Sequence, residues 1–200
     1  MSALLDELRN AAAHLDSLGV SWALVGGLAV SARAMPRTTR DIDVAVSVRD
    51  DADAESLVFR LSGIGYRSVA VAEQRAAGRL ATARLKVPAK TTLVLDVLFA
   101  SSGIEHEIAR DAEVLEILPR LSVPVARVGH LMAMKLLARD DRRRPQDADD
   151  LRALMDVANE VERARCEEAL TLIAQRGFHR DRDLGAAWTT ILDELREPGG

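Results

Sequence analysis

The chain has 200 residues, 48% of them hydrophobic, which is enough for one large domain, or one domain with a small appendage, around a real core. Aromatic residues make up only 3% and the formal net charge is −4, so the composition excludes a protein that permanently coats nucleic acid through stacked aromatic side chains. Transient contact with RNA through a local basic patch stays open. The single cysteine, Cys166, excludes an internal disulfide and a Cys-rich zinc site.

The first segment predicts an amphipathic helix. Leu4, Leu8 and Leu15 recur at helical spacing, and Gly19 is a typical stop. Acidic residues stand where a signal peptide would carry positive charge, and no apolar run approaches the roughly 18 residues that a membrane span needs. We therefore expect a cytoplasmic protein that does not contact a membrane.

The rest of the chain alternates between strand and helix patterns. The predicted strands cover residues 21–25, 41–48, 66–71, 80–87 and 91–99, with a further hairpin over residues 113–126 that is interrupted near Pro119. The predicted helices cover residues 28–34, 52–62, 131–139, 147–158, 160–175 and 184–195. This order predicts an α+β fold: a mixed sheet flanked by helices in residues 1–127, then a C-terminal helical region in residues 128–200 that completes the active site.

Two carboxylates one residue apart, Asp41 and Asp43, carry most of the functional information. In an extended strand alternate side chains point to the same face, so these two project together while Ile42 and Val44 anchor the other face. Two like charges held this close repel unless a positive charge lies between them. Mg²⁺ prefers carboxylate oxygens together with substrate phosphates, so the pair predicts half of a metal site.

A third carboxylate and a glycine pair extend this pattern. Asp96 interrupts the apolar strand over residues 91–99, and a charge inside a buried strand requires an ionic partner or a metal. Gly26 and Gly27 close an apolar strand and are separated from Asp41 by 13 residues. Without Cβ atoms, their backbone can approach a triphosphate closely and direct N–H donors at it.

These residues together resemble a known superfamily. The spacing of the glycine pair, the Asp-x-Asp motif and the later strand carboxylate is similar to that of polymerase-β-type nucleotidyltransferases. Within that superfamily, three segments look most like the AbiEii/AbiGii-type toxins, which include the MenT-type enzymes. The segments are Gly26 to Val30, Pro36 to Asp43, and Lys135 followed by Asp147 to Leu151, and the resemblance covers about the first 155 residues.

The resemblance implies a polymerase-β-like fold, a nucleoside triphosphate as substrate and a two-metal Mg²⁺ site. It implies that Asp41 and Asp43 hold the nucleotide-bound metal, and that Asp96 completes the second metal site near the attacking hydroxyl. It places Lys135 against the triphosphate as a point charge, accompanied by Asp150. The choice between Asp147 and Asp150 as the functional carboxylate stays open.

Other residues are candidates for phosphate contact. Many members of the superfamily carry Ser as the second residue of the glycine pair, so Gly27 removes a hydroxyl that Ser31 is a candidate to replace. Arg37 and Thr39 lie just before the acidic pair and can meet phosphate from a nucleotide or from an RNA end, with Arg37 the better candidate.

Each of these residues also has an ordinary structural explanation. Asp41 and Asp43 can mark a polar strand end paired with Arg37 or Arg40, and Asp96 can face solvent from an edge strand. The glycine pair can be a tight turn, Lys135 can extend to solvent, and Asp147 can cap a helix.

The sequence therefore predicts a metal-dependent nucleotidyltransferase. The resemblance makes the 3′ end of tRNA the leading acceptor and implies a toxin–antitoxin context with a cognate antitoxin as partner. One alternative keeps the same site and uses a small molecule or a protein as acceptor. Another is a non-catalytic module that binds a nucleotide.

Overall fold

The structure is a computed structural model that describes residues 2–74, 78–89, 92–139 and 145–196. Within these residues the chain forms seven strands and eight helices. The strands are β1 (Trp22–Val25), β2 (Asp41–Val46), β3 (Arg67–Gln74), β4 (Arg79–Lys86), β5 (Val94–Leu98), β6 (Glu113–Leu118) and β7 (Leu121–Val125). The helices are α1 (Ser2–Ser17), α2 (Gly26–Arg33), α3 (Asp51–Gly63), α4 (Glu105–Arg110), α5 (Val128–Ala138), α6 (Pro145–Val157), α7 (Glu160–Gln175) and α8 (Leu184–Arg196).

The strands form one mixed sheet in the order β3-β4-β5-β2-β1-β7-β6. The pairs β2–β5 and β1–β7 are parallel, and the other neighbouring pairs are antiparallel. The predicted α+β fold, a mixed sheet with flanking helices, is confirmed.

Strand β2 shows why a charged strand can lie near the middle of the sheet. Ile42 and Val44 are fully buried, whereas the alternating residues Asp41 and Asp43 are only partly buried. The alternation sends the apolar side chains into the core and both carboxylates to the opposite face. The register then places Asp43 opposite Asp96 of β5, and Asp96 opposite Arg84 of β4.

One helix, α4, has no counterpart among the predicted elements. Its six residues are too few to show a helical repeat of apolar positions. The buried carboxylate of Glu105 accepts hydrogen bonds from the backbone N–H groups of Ser101, Ser102 and Gly103 and from the Ser102 hydroxyl. This carboxylate fixes the turn that follows β5, a tertiary role that the sequence pattern does not reveal.

Four helices follow β7, and α5 is the central one. Eight of its eleven residues are buried, and it packs against α6 and α7. The division into residues 1–127 and 128–200 stays a prediction. Among the described helices, none combines the length and the apolar character that crossing a membrane requires.

Candidate active site

A cleft of about 630 Å³ opens where β1 meets α2, walled by β2, β4, β5 and α5. It is large enough for a small-molecule ligand. All the site residues predicted from the sequence line it except Asp150, which lies just behind its wall. The lining residues predicted from the sequence are Gly26, Gly27, Arg37, Thr39, Asp41, Asp43, Asp96 and Lys135, with Asp147 beside them.

Asp41, Asp43 and Asp96 form a carboxylate cluster on one face of the sheet. Asp43 and Asp96 are direct register partners on the parallel strands β2 and β5, and Asp41 lies two residues before Asp43 on the same face. Burial, followed by the charges of Asp96 and Asp41, raises the pKa of Asp43 to about 6. The cluster therefore concentrates more negative charge than the protein itself fully offsets, which is the electrostatic setting of a cation site.

Arg84 is the main cationic neighbour of this cluster. Its Nε and Nη2 donate to the two oxygens of Asp96 at 2.8 and 2.6 Å, and its Nη2 lies 3.8 Å from Asp41 Oδ2. Because β5 is an inner strand and Asp96 is only 7% exposed, the interpretation of Asp96 as a solvent-facing edge residue is wrong. The ionic partner that a buried charge requires is present, and it comes from the neighbouring strand.

Gly26 fits against the carboxylate cluster so closely that no side chain is possible there. Its φ is +62°, and a Cβ atom would lie 2.6 Å from Asp43 Cγ and 2.8 Å from Asp43 Cβ. The strand-to-helix turn and the close approach to Asp43 therefore both require glycine. The interpretation of the glycine pair as a simple tight turn explains the backbone conformation of Gly26 but not its close approach to Asp43.

Gly27 leaves room for two neighbouring side chains. A Cβ atom there would lie 2.5 Å from Arg37 Nη2 and 3.0 Å from Thr39 Oγ1. Ser31, the candidate substitute for a missing hydroxyl, donates to the Gly27 carbonyl and accepts from the Arg37 backbone N–H. The Ser31 hydroxyl is hydrogen-bonded to the backbone and does not line the cleft, so Ser31 does not replace the hydroxyl that Gly27 lacks. Arg37 and Thr39 occupy the space beside Gly27 instead.

A second charged cluster, formed by Lys135, Asp147, Asp150 and Arg37, lies at the same cleft. Lys135 Nζ lies 2.7 Å from Asp147 Oδ1 and 2.6 Å from Asp150 Oδ2, and Arg37 Nε lies 2.8 Å from Asp150 Oδ1. Lys135 is 12% exposed, so it does not extend to solvent. Asp147 lies inside α6 with its carboxylate turned to Lys135, so both acidic residues, and not Asp150 alone, hold the lysine.

The donor chemistry of the carboxylate cluster fits a hard divalent cation. Three carboxylates supply the oxygen ligands that Mg²⁺ prefers. Burial, and after it the charges of Asp96 and Asp41, raises the pKa of Asp43, and a cation bound there would offset the repulsion between these charges. In the described part of the chain, no group of three or more His, Cys, Asp or Glu side chains is already arranged as a metal site. The oxygens of Asp96 also accept the two hydrogen bonds from Arg84.

Two arginines in the cleft were not predicted from the sequence. Arg84 could have been found from the hairpin β4–β5, whose register pairs it with Asp96. Arg180, in the left-handed turn between α7 and α8, also lines the cleft and donates to the Ser101 carbonyl oxygen. No local sequence signal marks Arg180, because 79 residues separate it from its partner.

Two solved structures share this fold. One is an antigenic nucleotidyltransferase-like protein from Paracoccidioides brasiliensis, with 20% identity and a TM-score of 0.52 over 92% of this chain and 93% of that one. The other is the lincosamide antibiotic adenylyltransferase LnuA with lincomycin bound, with 16% identity and a TM-score of 0.50 over 76% of this chain and 97% of that one. No curated protein sequence matches the chain.

A protein-family model matches almost the whole chain. It spans residues 11–198 and is described as "Nucleotidyl transferase AbiEii toxin, Type IV TA system". This match confirms the resemblance drawn from the glycine pair, the Asp-x-Asp motif and the Lys–Asp helix pair. The chain belongs to the AbiEii toxin family and is a nucleotidyltransferase.

Proposed function

We propose that this nucleotidyltransferase uses divalent metal to transfer a nucleoside monophosphate from a nucleoside triphosphate to the 3′ end of tRNA. The observation that carries the proposal is the meeting of three groups in one cleft. These groups are the glycine turn, the carboxylate cluster and the Lys135 cluster. Together they provide what an in-line attack on an α-phosphorus requires: phosphate donors, metal ligands and a fixed positive charge.

The triphosphate is expected to lie between the glycine turn and Lys135. Gly26 and Gly27 begin α2, where backbone N–H groups and the helix dipole favour an anion. Lys135 lines the same cleft and is held by Asp147 and Asp150, and Arg37 lies against Gly27 and is held by Asp150. Since both cations are already fixed by buried carboxylates, little side-chain entropy is lost when phosphate binds.

Asp41, Asp43 and Asp96 are the residues that would hold the metal ions. Divalent cations held there would stabilise the charge on the attacking and leaving oxygens. Asp43 is fixed in place by its contact with Gly26 and by buried strand β2, so its carboxylate orientation is set before substrate arrives. In the reaction, the acceptor hydroxyl loses its proton to solvent and its oxygen forms a bond to the α-phosphorus. The bond from the α-phosphorus to the oxygen that bridges it to the β-phosphate breaks, and pyrophosphate leaves.

The acceptor is proposed to be tRNA because of the family description and the charge of the cleft. The family description names a toxin, and transfer to the tRNA 3′ end would block aminoacylation and stop growth. Arg37, Arg40 and Arg180 all line the cleft, where they can meet acceptor phosphates. The description as a type IV toxin–antitoxin system also supports a cognate antitoxin as a partner.

A small-molecule acceptor is the competing possibility. The fold is shared with LnuA, which acts on lincosamide antibiotics, and the cleft volume suits a ligand of that size. We place this second because the family match covers nearly the whole chain, whereas the similarity to LnuA establishes the fold alone.

The deciding experiment is incubation of the purified protein with Mg²⁺ and each α-labelled nucleoside triphosphate in turn. Parallel reactions contain total tRNA, lincomycin or no added acceptor. Asp41→Ala tests the site, and Asp6→Ala is the control, since Asp6 is an exposed carboxylate on α1 outside the cleft. Label on tRNA with the wild type and Asp6→Ala, but not with Asp41→Ala, supports the proposal and identifies the nucleotide. Label on lincomycin, or on the protein itself, instead of tRNA would refute the acceptor while keeping the reaction.

A further inference from the structure

Arg84 contacts two members of the carboxylate cluster, Asp96 and Asp41. Its two donors saturate the two oxygens of Asp96 in a bidentate ion pair, at 2.8 and 2.6 Å. The same Nη2 lies 3.8 Å from Asp41 Oδ2, so one guanidinium nitrogen lies between the carboxylates of two different strands. A cation shared by Asp41 and Asp96 would need to lie in that same region.

Like charges close together are costly, so Arg84 and a divalent cation compete for these oxygens. The two residues of the ion pair differ in their freedom to move. Asp96 is held rigidly on an inner strand, and only 10% of its side chain is exposed. Arg84 is held less firmly, since 47% of its side chain is exposed and its long stem can turn towards solvent. If one member of the pair moves, it is Arg84.

We propose that Arg84 is an exchangeable counter-cation that closes Asp96 and Asp41 to divalent metal until it releases them. The inference rests on the proposed function, because it assumes that the three carboxylates are metal ligands. In the metal-free protein, Arg84 offsets the repulsion among Asp41, Asp43 and Asp96 and stabilises the sheet. Binding of metal therefore requires the ion pair with Asp96 to open.

A different role for Arg84 gives the opposite prediction. An arginine that only orients Asp96 would strengthen metal binding, as outer-shell partners of metal ligands do. Removing the guanidinium would then weaken the affinity for metal. The sign of the change in metal affinity therefore separates a counter-cation from an orienting residue.

The test is a titration of the protein with Mn²⁺ in the absence of nucleotide, in which electron paramagnetic resonance measures the concentration of free Mn²⁺. Arg84→Gln removes the charge, and Arg84→Lys keeps a charge but loses the bidentate geometry. Arg79→Gln is the matched control. Arg79 is on the same strand and pairs with Asp51 at 2.6 Å, but it does not line the cleft. Thermal unfolding in EDTA and with Mn²⁺ gives a second readout that does not depend on activity.

We expect Arg84→Gln to bind Mn²⁺ at least about tenfold more tightly than the wild type, with Arg84→Lys between them and Arg79→Gln unchanged. Adding Asp43→Asn to Arg84→Gln should abolish the increase in Mn²⁺ affinity, which would show that the additional Mn²⁺ binding occurs at the carboxylate cluster. In EDTA, Arg84→Gln should melt below the wild type, and Mn²⁺ should raise its Tm more than that of the wild type.

Equal or weaker Mn²⁺ binding by Arg84→Gln, with normal binding by the wild type, would overturn the inference and leave the proposed function standing. If no variant binds Mn²⁺ even with a non-hydrolysable ATP analogue present, the metal dependence in the proposed function fails together with the inference.

Discussion

The contact between Gly26 and Asp43 can be tested by adding a single methyl group. Gly26 and Gly19 have nearly the same φ, +62° and +66°. An alanine in this left-handed conformation costs roughly 1–2 kcal/mol at either position. At Gly19, a Cβ atom would meet no heavy atom within 4 Å in the described part of the chain, so Gly19→Ala measures the backbone cost alone.

Gly26→Ala adds a steric conflict to that cost. The new Cβ would lie 2.8 Å from Asp43 Cβ and 2.6 Å from Asp43 Cγ, against the 3.4–4 Å of ordinary contact. Because the conflict includes the Cβ atom of Asp43, rotation of the carboxylate cannot relieve it, and the glycine turn and β2 must separate by several tenths of an ångström or more. Displacements approaching 1 Å in an active site cost on the order of 100-fold in rate.

The assay compares transferase rate and thermal stability for the two variants. We expect Gly19→Ala to keep wild-type activity with a Tm about 2–8 °C lower, at 2–4 °C per kcal/mol for a chain of this size. Gly26→Ala should melt lower still and lose about 100-fold or more in rate. If Gly26→Ala retains the activity of Gly19→Ala, the placement of the reaction beside Asp43 is wrong.

Three further predictions follow from the charged groups. Burial raises the pKa of Asp43 to about 6, above the value of 3.8 expected in the unfolded chain. Between these two pH values the folded protein binds more protons than the unfolded one, so the free energy of unfolding in EDTA should fall as the pH rises from about 4 to 6. At 1.36 kcal/mol per pKa unit the loss is up to about 3 kcal/mol; Asp43→Asn should remove it in denaturant titrations, whereas Asp6→Asn on the exposed surface should leave the slope unchanged. Lys135→Ala removes the lysine that Asp147 and Asp150 share, takes a cation from buried Asp147 and leaves Asp150 with Arg37, and should destabilise the protein by about 3 kcal/mol in urea unfolding. Arg152→Ala, which breaks a pair with both side chains more than 70% exposed, should change stability by less than about 0.5 kcal/mol. Arg180→Ala should lower the transferase rate at limiting acceptor by about tenfold with little change in Tm, and an unchanged rate would remove Arg180 from the acceptor site.

Most of the fold follows from local patterns in the sequence. The alternation at Asp41 to Val46 and the helical spacing of Leu4, Leu8 and Leu15 each reflect one face buried in the core, so the elements they predict form as expected. Helix α4 was missed because its position is set by Glu105 closing the turn after β5, a contact between residues that carry no periodic signal. Local patterns predict elements that bury a stripe of apolar residues, and they miss elements that a single polar contact holds.

Sequence reasoning likewise identified some residues of the site and missed others, of which Arg84 is an example. The glycine pair, the carboxylates and Lys135 were found because the chemistry of phosphate and metal dictates their type and spacing, whereas ion pairing depends on which strands become neighbours. Arg37, next in sequence to the acidic motif, pairs with Asp150 on α6, and the partner of Asp96 comes from β4. The register of the antiparallel strands β4 and β5 places Arg84 beside Asp96, so the ionic partner that the sequence left open between an ion pair and a metal comes from β4. The strand order therefore determines not only where the carboxylates lie but also which basic side chain lies beside them.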